Sequence, residues 1–373
     1  MINFDEYIRQ SEPDKKEKGL IWQTAIGLQE VDGLKPSAYL IETARQNIDG
    51  NITFNEVKRR IDNHYKAHIN RQQTAGDRTE EADKVSVRTV EILSENTFTF
   101  SPVEYIKIHG RLFSEIYKFA GKIRDYNIIK KEWILDGKTV IYASADYIIA
   151  MLDYDFAQEK KFDYKGLNKR EIIEHIAKFV SDLWQIHAFG DGNTRTTAVF
   201  TIKYLRTFGF KVESDTFAKH SRYFRNALVL ANHNDCQNNV FSTQEYLMRF
   251  FGNLLLNEDN ILKDSELHVV FAATEDEGIM DSDVDKTVEK TEKKDVENTV
   301  RKTADKTVEK AMTKTVEKIL EIIKKNPKVT QKELADLTEL SRRGVEWNIT
   351  QLKKGKIIER IGGDRGGYWK IIK

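Results

Sequence analysis

Two apolar helical stripes separated by a short glycine-rich segment constrain this chain more than any other feature. Ile172, Ile173, Ile176, Phe179, Val180, Leu183 and Trp184 recur at helical spacing over 171–186. Ala198, Val199, Phe200, Ile202 and Leu205 do the same from Thr196 to about Phe208. Both stripes need burial, so the residues between them form a helix–loop–helix corner inside a helical bundle. Only 4 of the 373 residues are proline, which favours long helices over a turn-rich sandwich.

That corner reads His187-Ala188-Phe189-Gly190-Asp191-Gly192-Asn193-Thr194-Arg195. A Gly-Asp-Gly-Asn loop entering a helix leaves backbone N–H groups converging on one spot, where they and the helix dipole favour an anion such as phosphate. Arg195 can bond phosphate oxygens through its planar fork. Asp191 is the hard oxygen ligand that Mg²⁺ takes beside a nucleotide's phosphates. His187 has an ordinary pKa suited to removing a proton near neutrality. A single histidine or loop aspartate is more often structural than catalytic. Together, within nine residues at one corner, these side chains and the loop point to phosphate chemistry.

The flanking sequence divides into regions. Residues 37–68 predict two helices around the turn Asp49-Gly50-Asn51, the second opening with Thr53-Phe54-Asn55-Glu56 at capping-box spacing. His64 and His68 lie four apart there, a spacing that suits a metal but more commonly marks a solvated face. A further helix is expected over 103–119. Glu132 to Tyr142, centred on Asp136-Gly137, predicts a β-hairpin. Lys-Thr-Val-Glu-Lys recurs at 286–290, 306–310 and 314–318, within a low-complexity spacer over 273–317. The last 56 residues predict three helices and two short strands, a pattern resembling a winged helix-turn-helix. The expected domains are 1–95, 96–256, a linker over 257–317, and 318–373.

Charge is uneven. Lys+Arg 60 and Asp+Glu 59 give +1 overall, yet 318–373 holds 14 basic and 7 acidic residues, +7, leaving −6 elsewhere. That excess suits contact with duplex DNA through the 341–354 helix, with Arg342 and Arg343 at its start. A protein–protein winged helix is the competing reading. The lone Cys236 excludes an internal disulfide and a four-cysteine zinc site. No apolar run is long enough to span a membrane, and Met1 to Glu6 lacks a basic-then-apolar signal, so the cytosol is the expected location.

At the corner the sequence resembles the Fic (Fido-domain) family, whose motif is His-x-Phe-x-(Asp/Glu)-Gly-Asn-(Gly/Lys)-Arg-x-x-Arg. His187, Phe189, Asp191, Gly192, Asn193 and Arg195 match; Thr194 replaces the usual glycine and Ala198 the second arginine. Phe119-Ala120-Gly121-Lys122-Ile123-Arg124 is similar to a segment preceding the family's flap. The resemblance, over roughly 100–255, implies a mainly α fold: a Fic-type bundle with a β-hairpin flap, then a linker and a winged helix.

It also implies protein adenylyltransferase activity. His187 would deprotonate a Ser, Thr or Tyr hydroxyl of a target, this chain included, for attack on the α-phosphate of ATP. Asp191 would hold Mg²⁺; Gly192, Asn193 and Thr194 would form the anion hole; Arg195 would steady the departing diphosphate. Phe224 and Asn232 resemble the adenine-side segment. Ile134, Leu135, Asp136, Gly137, Lys138, Thr139 and Val140 would dock the target by main-chain pairing. Arg45 to Gly50 is similar to the family's inhibitory helix, with Arg45 and Asp49 standing where serine and glutamate are usual. Two alternatives remain at this level: an inert or nucleotide-sensing Fic fold serving a DNA-binding regulator, and a Fic enzyme of other phospho-transfer chemistry. The sequence also allows a homo-oligomer.

Overall fold

The structure, a computed structural model, describes residues 13–67, 78–210, 212, 215–235, 238, 240–269, 318–338, 342–354, 357–363 and 366–372. His68, Cys236 and the 273–317 repeats lie outside the described residues. The chain divides into two units, Met1–Val269 and Val270–Lys373.

The first unit is helical. Helix α1 (Pro13–Gly27) runs into a 3-10 turn (Leu28–Asp32). Helices α2 (Ala38–Ile48) and α3 (Phe54–Ala67) follow, with Ser37 Oγ accepting the Leu40 N–H at 2.9 Å and Thr53 Oγ1 accepting that of Glu56 at 3.3 Å. These are the two helices expected around Asp49–Asn51. Helix α4 (Thr79–Ser94) precedes α5 (Pro102–Phe113). Helix α5 is shorter than its predicted span because the chain turns at Ser114 and Glu115, the latter in the left-handed region at φ 62°. Helix α6 (Ile148–Lys161) leads to α7 (Lys169–Ile186), opened by a capping box between Asn168 and Glu171. Helices α8 (Asn193–Thr207), α9 (Thr216–Asn232) and α10 (Glu245–Leu256) complete the bundle.

The two stripes meet where expected. Phe100 lies 5.8 Å from Phe179 of α7 and 5.9 Å from Phe200 of α8, with Phe156 and Tyr204 completing an aromatic core. A second aromatic cluster joins Phe217, Phe224 and Phe250.

The segment 132–142 departs from the predicted hairpin. Its turn is present, with φ 52° at Asp136 and 80° at Gly137. However, Trp133–Leu135 is a 3-10 turn and the arms form no strands. The physical reason lies in the partners of the arm carbonyls. Gln185 Nε2 donates to the Ile141 carbonyl at 3.0 Å, Arg124 donates to that of Ala143, and the His233 ring pairs with that of Thr139 at 3.1 Å. Side chains thus satisfy groups that a ladder would otherwise pair. Residues 257–269, expected to begin the linker, instead pack with the first unit. Leu267 is buried, and the Val269 N–H donates to the Ile134 carbonyl at 2.8 Å.

The second unit has helix α11 (318–325), α12 (Gln331–Thr338) and α13 (Arg342–Lys354), then β1 (Ile358–Ile361) and β2 (Tyr368–Ile371), paired antiparallel. Thr330 and Glu333 cap α12 reciprocally, at 2.7 and 3.2 Å. Trp369 enters the core of Ile319, Ile323, Leu334, Val345 and Ile349, and its Nε1–H donates to the Val329 carbonyl at 3.1 Å. This is a winged helix. No helix among the described residues is long and apolar enough to cross a membrane.

Candidate active site

His187 ends α7 in the left-handed region, at φ 48° and ψ 57°. That turn stops the helix and directs the chain into the loop. The Arg124 guanidinium holds the turn through the carbonyls of His187, at 2.7 Å, and Ile186, at 3.3 Å, and it also reaches those of Tyr126 and Ala143. The His187 ring is 3% exposed, and neither nitrogen has a hydrogen-bond partner. Its neighbours are the rings of Tyr142, 4.1 Å away, and Trp184, 5.4 Å away. Burial, helped by the charges of Lys130, Arg124 and Arg225, pushes its pKa well below the usual histidine value. His187 is therefore a neutral imidazole with a lone pair to offer.

The loop is pinned by its own side chains. Asn193 Oδ1 accepts the Phe189 N–H at 2.9 Å and its Nδ2 donates to the Phe189 carbonyl at 2.8 Å. Phe189 is buried and stacks on His109 at 3.7 Å. His109 Nδ1 accepts the Gly121 N–H at 2.9 Å, which leaves Nε2–H to donate to the Asp191 carbonyl at 3.1 Å. Thr194 Oγ1 accepts the Trp184 indole N–H at 2.9 Å. The side chains of Asn193 and Thr194 thus serve to hold the loop in place. The first backbone bond of α8 runs from Thr196 N–H to the Gly192 carbonyl, so the N–H groups of residues 193–195 precede the intrahelical ladder. Gly192 is required twice over: its φ is 75°, and a Cβ there would lie 2.4 Å from the Phe113 ring.

Asp191 is the accessible carboxylate, with 36% of its side chain exposed. Its Oδ1 accepts the Gly192 N–H at 2.7 Å, Lys130 Nζ stands 3.9 Å from that oxygen, and Arg78 stands 3.5 Å from Oδ2. Burial alone would raise its pKa, but the charges of Lys130, Arg195 and Arg78 and the Gly192 N–H hold it below the usual carboxylate range.

Arg195 reaches the corner but turns inward. Its side chain is 1% exposed. Nη2 pairs with Glu81 Oε1 at 2.7 Å and Nη1 donates to Gln29 Oε1 at 3.2 Å. Nε lies 2.8 Å from Asp32 Oδ2, a charge contact without hydrogen-bond geometry. The guanidinium also covers the Phe113 ring, 4.7 Å from its centroid. Ala198 is buried.

Several residues named from sequence lie elsewhere. Phe224 is buried in the second aromatic cluster. Asn232 ties α9 to α7 through Ser181 Oγ, at 2.9 Å. Arg45, Asp49 and Gly50 are exposed at the end of α2, and the acids on Arg195 are instead Asp32 and Glu81. In the flap, Ile134, Leu135 and Val140 are buried, Asp136 and Gly137 exposed, and Lys138 pairs with Asp235 at 2.6 Å. Arg342 and Arg343 open α13. The sequence reading missed His109, Glu132, Tyr142 and Arg225. Tyr142 donates to Glu132 Oε1 at 3.1 Å, and Arg225 donates to Glu132 Oε2 at 2.6 Å. One signal was available: His109 is a polar residue on the apolar stripe of Tyr105, Ile108, Leu112 and Phe113, where burial demands partners.

Among the described residues no three His, Cys, Asp or Glu side chains form a metal-holding group. The exposed, ionised Asp191 nevertheless fits Mg²⁺, which commonly binds through one carboxylate and the substrate's phosphates.

Residues 99–205 match the Fic/DOC family, and residues 312–359 match a winged helix-turn-helix DNA-binding family. A 109-residue stretch is 28% identical to protein adenylyltransferase VbhT of Bartonella schoenbuchensis, spanning 29% of this chain and 22% of that protein. Among solved structures, a Fic family protein from Desulfovibrio desulfuricans G20 aligns with a TM-score of 0.41 at 13% identity, covering 96% of this chain and 87% of that one. The N-terminal FIC domain of Bep8 from Bartonella sp. 1-1C aligns with a TM-score of 0.36 at 19% identity, covering 46% and 81%. The two family matches put a Fic/DOC domain at residues 99–205 and a winged helix at 312–359.

Proposed function

We propose that the first unit is a protein adenylyltransferase, moving AMP from ATP to a Ser, Thr or Tyr hydroxyl of a protein, this chain included. The observation that carries this reading is the neutral, unpartnered His187 imidazole beside the unladdered N–H groups of residues 193–195. The hydroxyl oxygen attacks the α-phosphorus, its proton passes to a His187 ring nitrogen, and the bond from that phosphorus to the β-bridging oxygen breaks, releasing diphosphate. The main-chain N–H groups at the start of α8 stabilise the charge that develops on the phosphoryl oxygens. Mg²⁺, held through Asp191, would neutralise phosphate charge. Because the Tyr142 ring lies 4.1 Å from that of His187, a target reaches the base by displacing this arm. Ile129, Trp133 and Ile141 are exposed along this segment, which suits docking of a target against it.

The second unit, in this reading, binds duplex DNA through α13. The winged-helix fold and its basic excess support that partner. One observation favours a nucleotide-sensing rather than catalytic first unit: Arg195 is already held by Glu81, Asp32 and Gln29.

Incubation with α-labelled ATP and Mg²⁺ separates the two readings. Label on protein from wild type, reduced about 10²–10⁴-fold in His187→Ala while ATP binding persists, supports catalysis. Wild type that binds ATP yet transfers no label, even to a broad set of proteins, favours the sensor.

A further inference from the structure

Cationic side chains crowd the corner, and nearly all are saturated. Arg195 is enclosed by Glu81, Asp32, Gln29 and the Phe113 ring. Arg78 makes two bonds to Glu81, at 2.7 and 2.6 Å, and one to Tyr117, at 2.8 Å. Arg225 is bound to Glu132 at 2.6 Å. Arg124 donates to the carbonyls of Tyr126, Ala143, Ile186 and His187. Lys130 is different. Its ammonium makes no hydrogen bond among the described residues, and its ion-pair partner Asp191 Oδ1 stands 3.9 Å away. That is too long for a hydrogen bond, so its three donors remain unspent.

Its main chain is held in place. The arm bearing Lys130 is anchored where the Arg124 N–H donates to the Ala188 carbonyl at 3.0 Å, next to His187. It is tied again where the Lys130 N–H reaches Thr139 Oγ1 at 3.4 Å. The side chain is 32% exposed, enough to meet a ligand arriving at Asp191. The position where a second motif arginine is usual is the buried Ala198, which carries no charge.

We propose that Lys130 is a phosphate ligand of the bound nucleotide, supplying from the flap arm the mobile positive charge that Arg195 and Ala198 do not. This rests on the adenylyltransferase reading and deepens it. An ammonium on a flexible stem suits a point contact with a phosphate oxygen. Asp191 would hold a cation carried by the nucleotide, which would leave the Lys130 ammonium to the phosphates.

The test measures equilibrium binding of ATP, ADP and adenosine, with Mg²⁺, to full-length wild type, Lys130→Ala, Lys130→Arg and the adjacent Lys131→Ala. Thermal unfolding confirms that each variant is folded. The expected result is ATP binding about tenfold or more weaker in Lys130→Ala, as losing a charge-assisted bond implies. Adenosine binding should be unchanged, Lys130→Arg should recover most of the loss, and Lys131→Ala should match wild type. Equal ATP affinity in Lys130→Ala and wild type overturns the assignment, as does an equal loss for ATP and adenosine, which would mean a merely structural role. Wild type that binds no ATP overturns the adenylyltransferase reading itself, and this assignment with it.

Discussion

Arg195 Nη2 and Glu81 Oε1 lie 2.7 Å apart, although 114 positions separate them in sequence. The pair fastens the helix–loop–helix corner to α4 and lies almost wholly out of water. Burial alone would raise the Glu81 pKa, but Arg78, Arg195 and Tyr117 hold it below the usual range. Glu81→Ala therefore leaves two arginines short of a partner, and breaking a buried pair from one side costs about 3–5 kcal/mol. Urea unfolding of the first unit should show that loss. A variant as stable as wild type would mean that the pair contributes nothing.

Asp49 lies at the exposed end of α2, and the acids on Arg195 come from other elements. Asp49→Gly should then change the rate of AMP transfer by no more than about twofold, as surface substitutions do. Activation by orders of magnitude would make Asp49 a working inhibitor. Deleting residues 1–52 is a poorer test, because it also removes Gln29 and Asp32 from Arg195.

Stability should fall on mild acidification through His109. Burial pushes its pKa down to about 4. The folded protein thus binds this proton less readily than the unfolded chain, whose histidines titrate near 6.5. The stabilisation is complete above about pH 6.5, is lost as pH falls toward 4, and changes no further below that. The full span is worth about 3 kcal/mol. His109→Gln should flatten the pH dependence of urea stability over this window by a comparable amount. An unchanged slope would mean that His109 takes up its proton without disturbing the loop.

Binding of the second unit to duplex DNA should weaken steeply with salt. Replacing both Arg342 and Arg343 by Ala should reduce the slope of log K against log salt by about 0.9 for each phosphate contact removed. A mobility-shift titration across salt concentrations measures this. No binding even at low salt would favour a protein partner for the winged helix.

Where sequence was informative, local rules were sufficient. The helices around Asp49–Asn51, the capping box of Thr330 and Glu333, and the wing strands all follow from near-neighbour spacing. The corner was legible for the same reason, since Asn193 and Phe189 bond each other across four positions. What sequence did not reveal is long-range. Glu81, Asp32 and Gln29 meet Arg195 only through the tertiary fold. In the flap arms the β-formers Ile134, Val140 and Tyr142 are buried without pairing in a ladder, and periodicity cannot separate burial from pairing. Phe224 sits on a helix face where packing and ligand contact leave the same pattern.

Arg124 holds the carbonyls of Ile186 and His187 together with those of Tyr126 and Ala143, at the two ends of the flap segment. One guanidinium thus sets the register between His187 and the flap segment, like a rivet through two plates. Neither part can be repositioned alone while it stays in place. A substitution at Arg124 would displace both at once, so lost activity there would report their alignment and not the contribution of either.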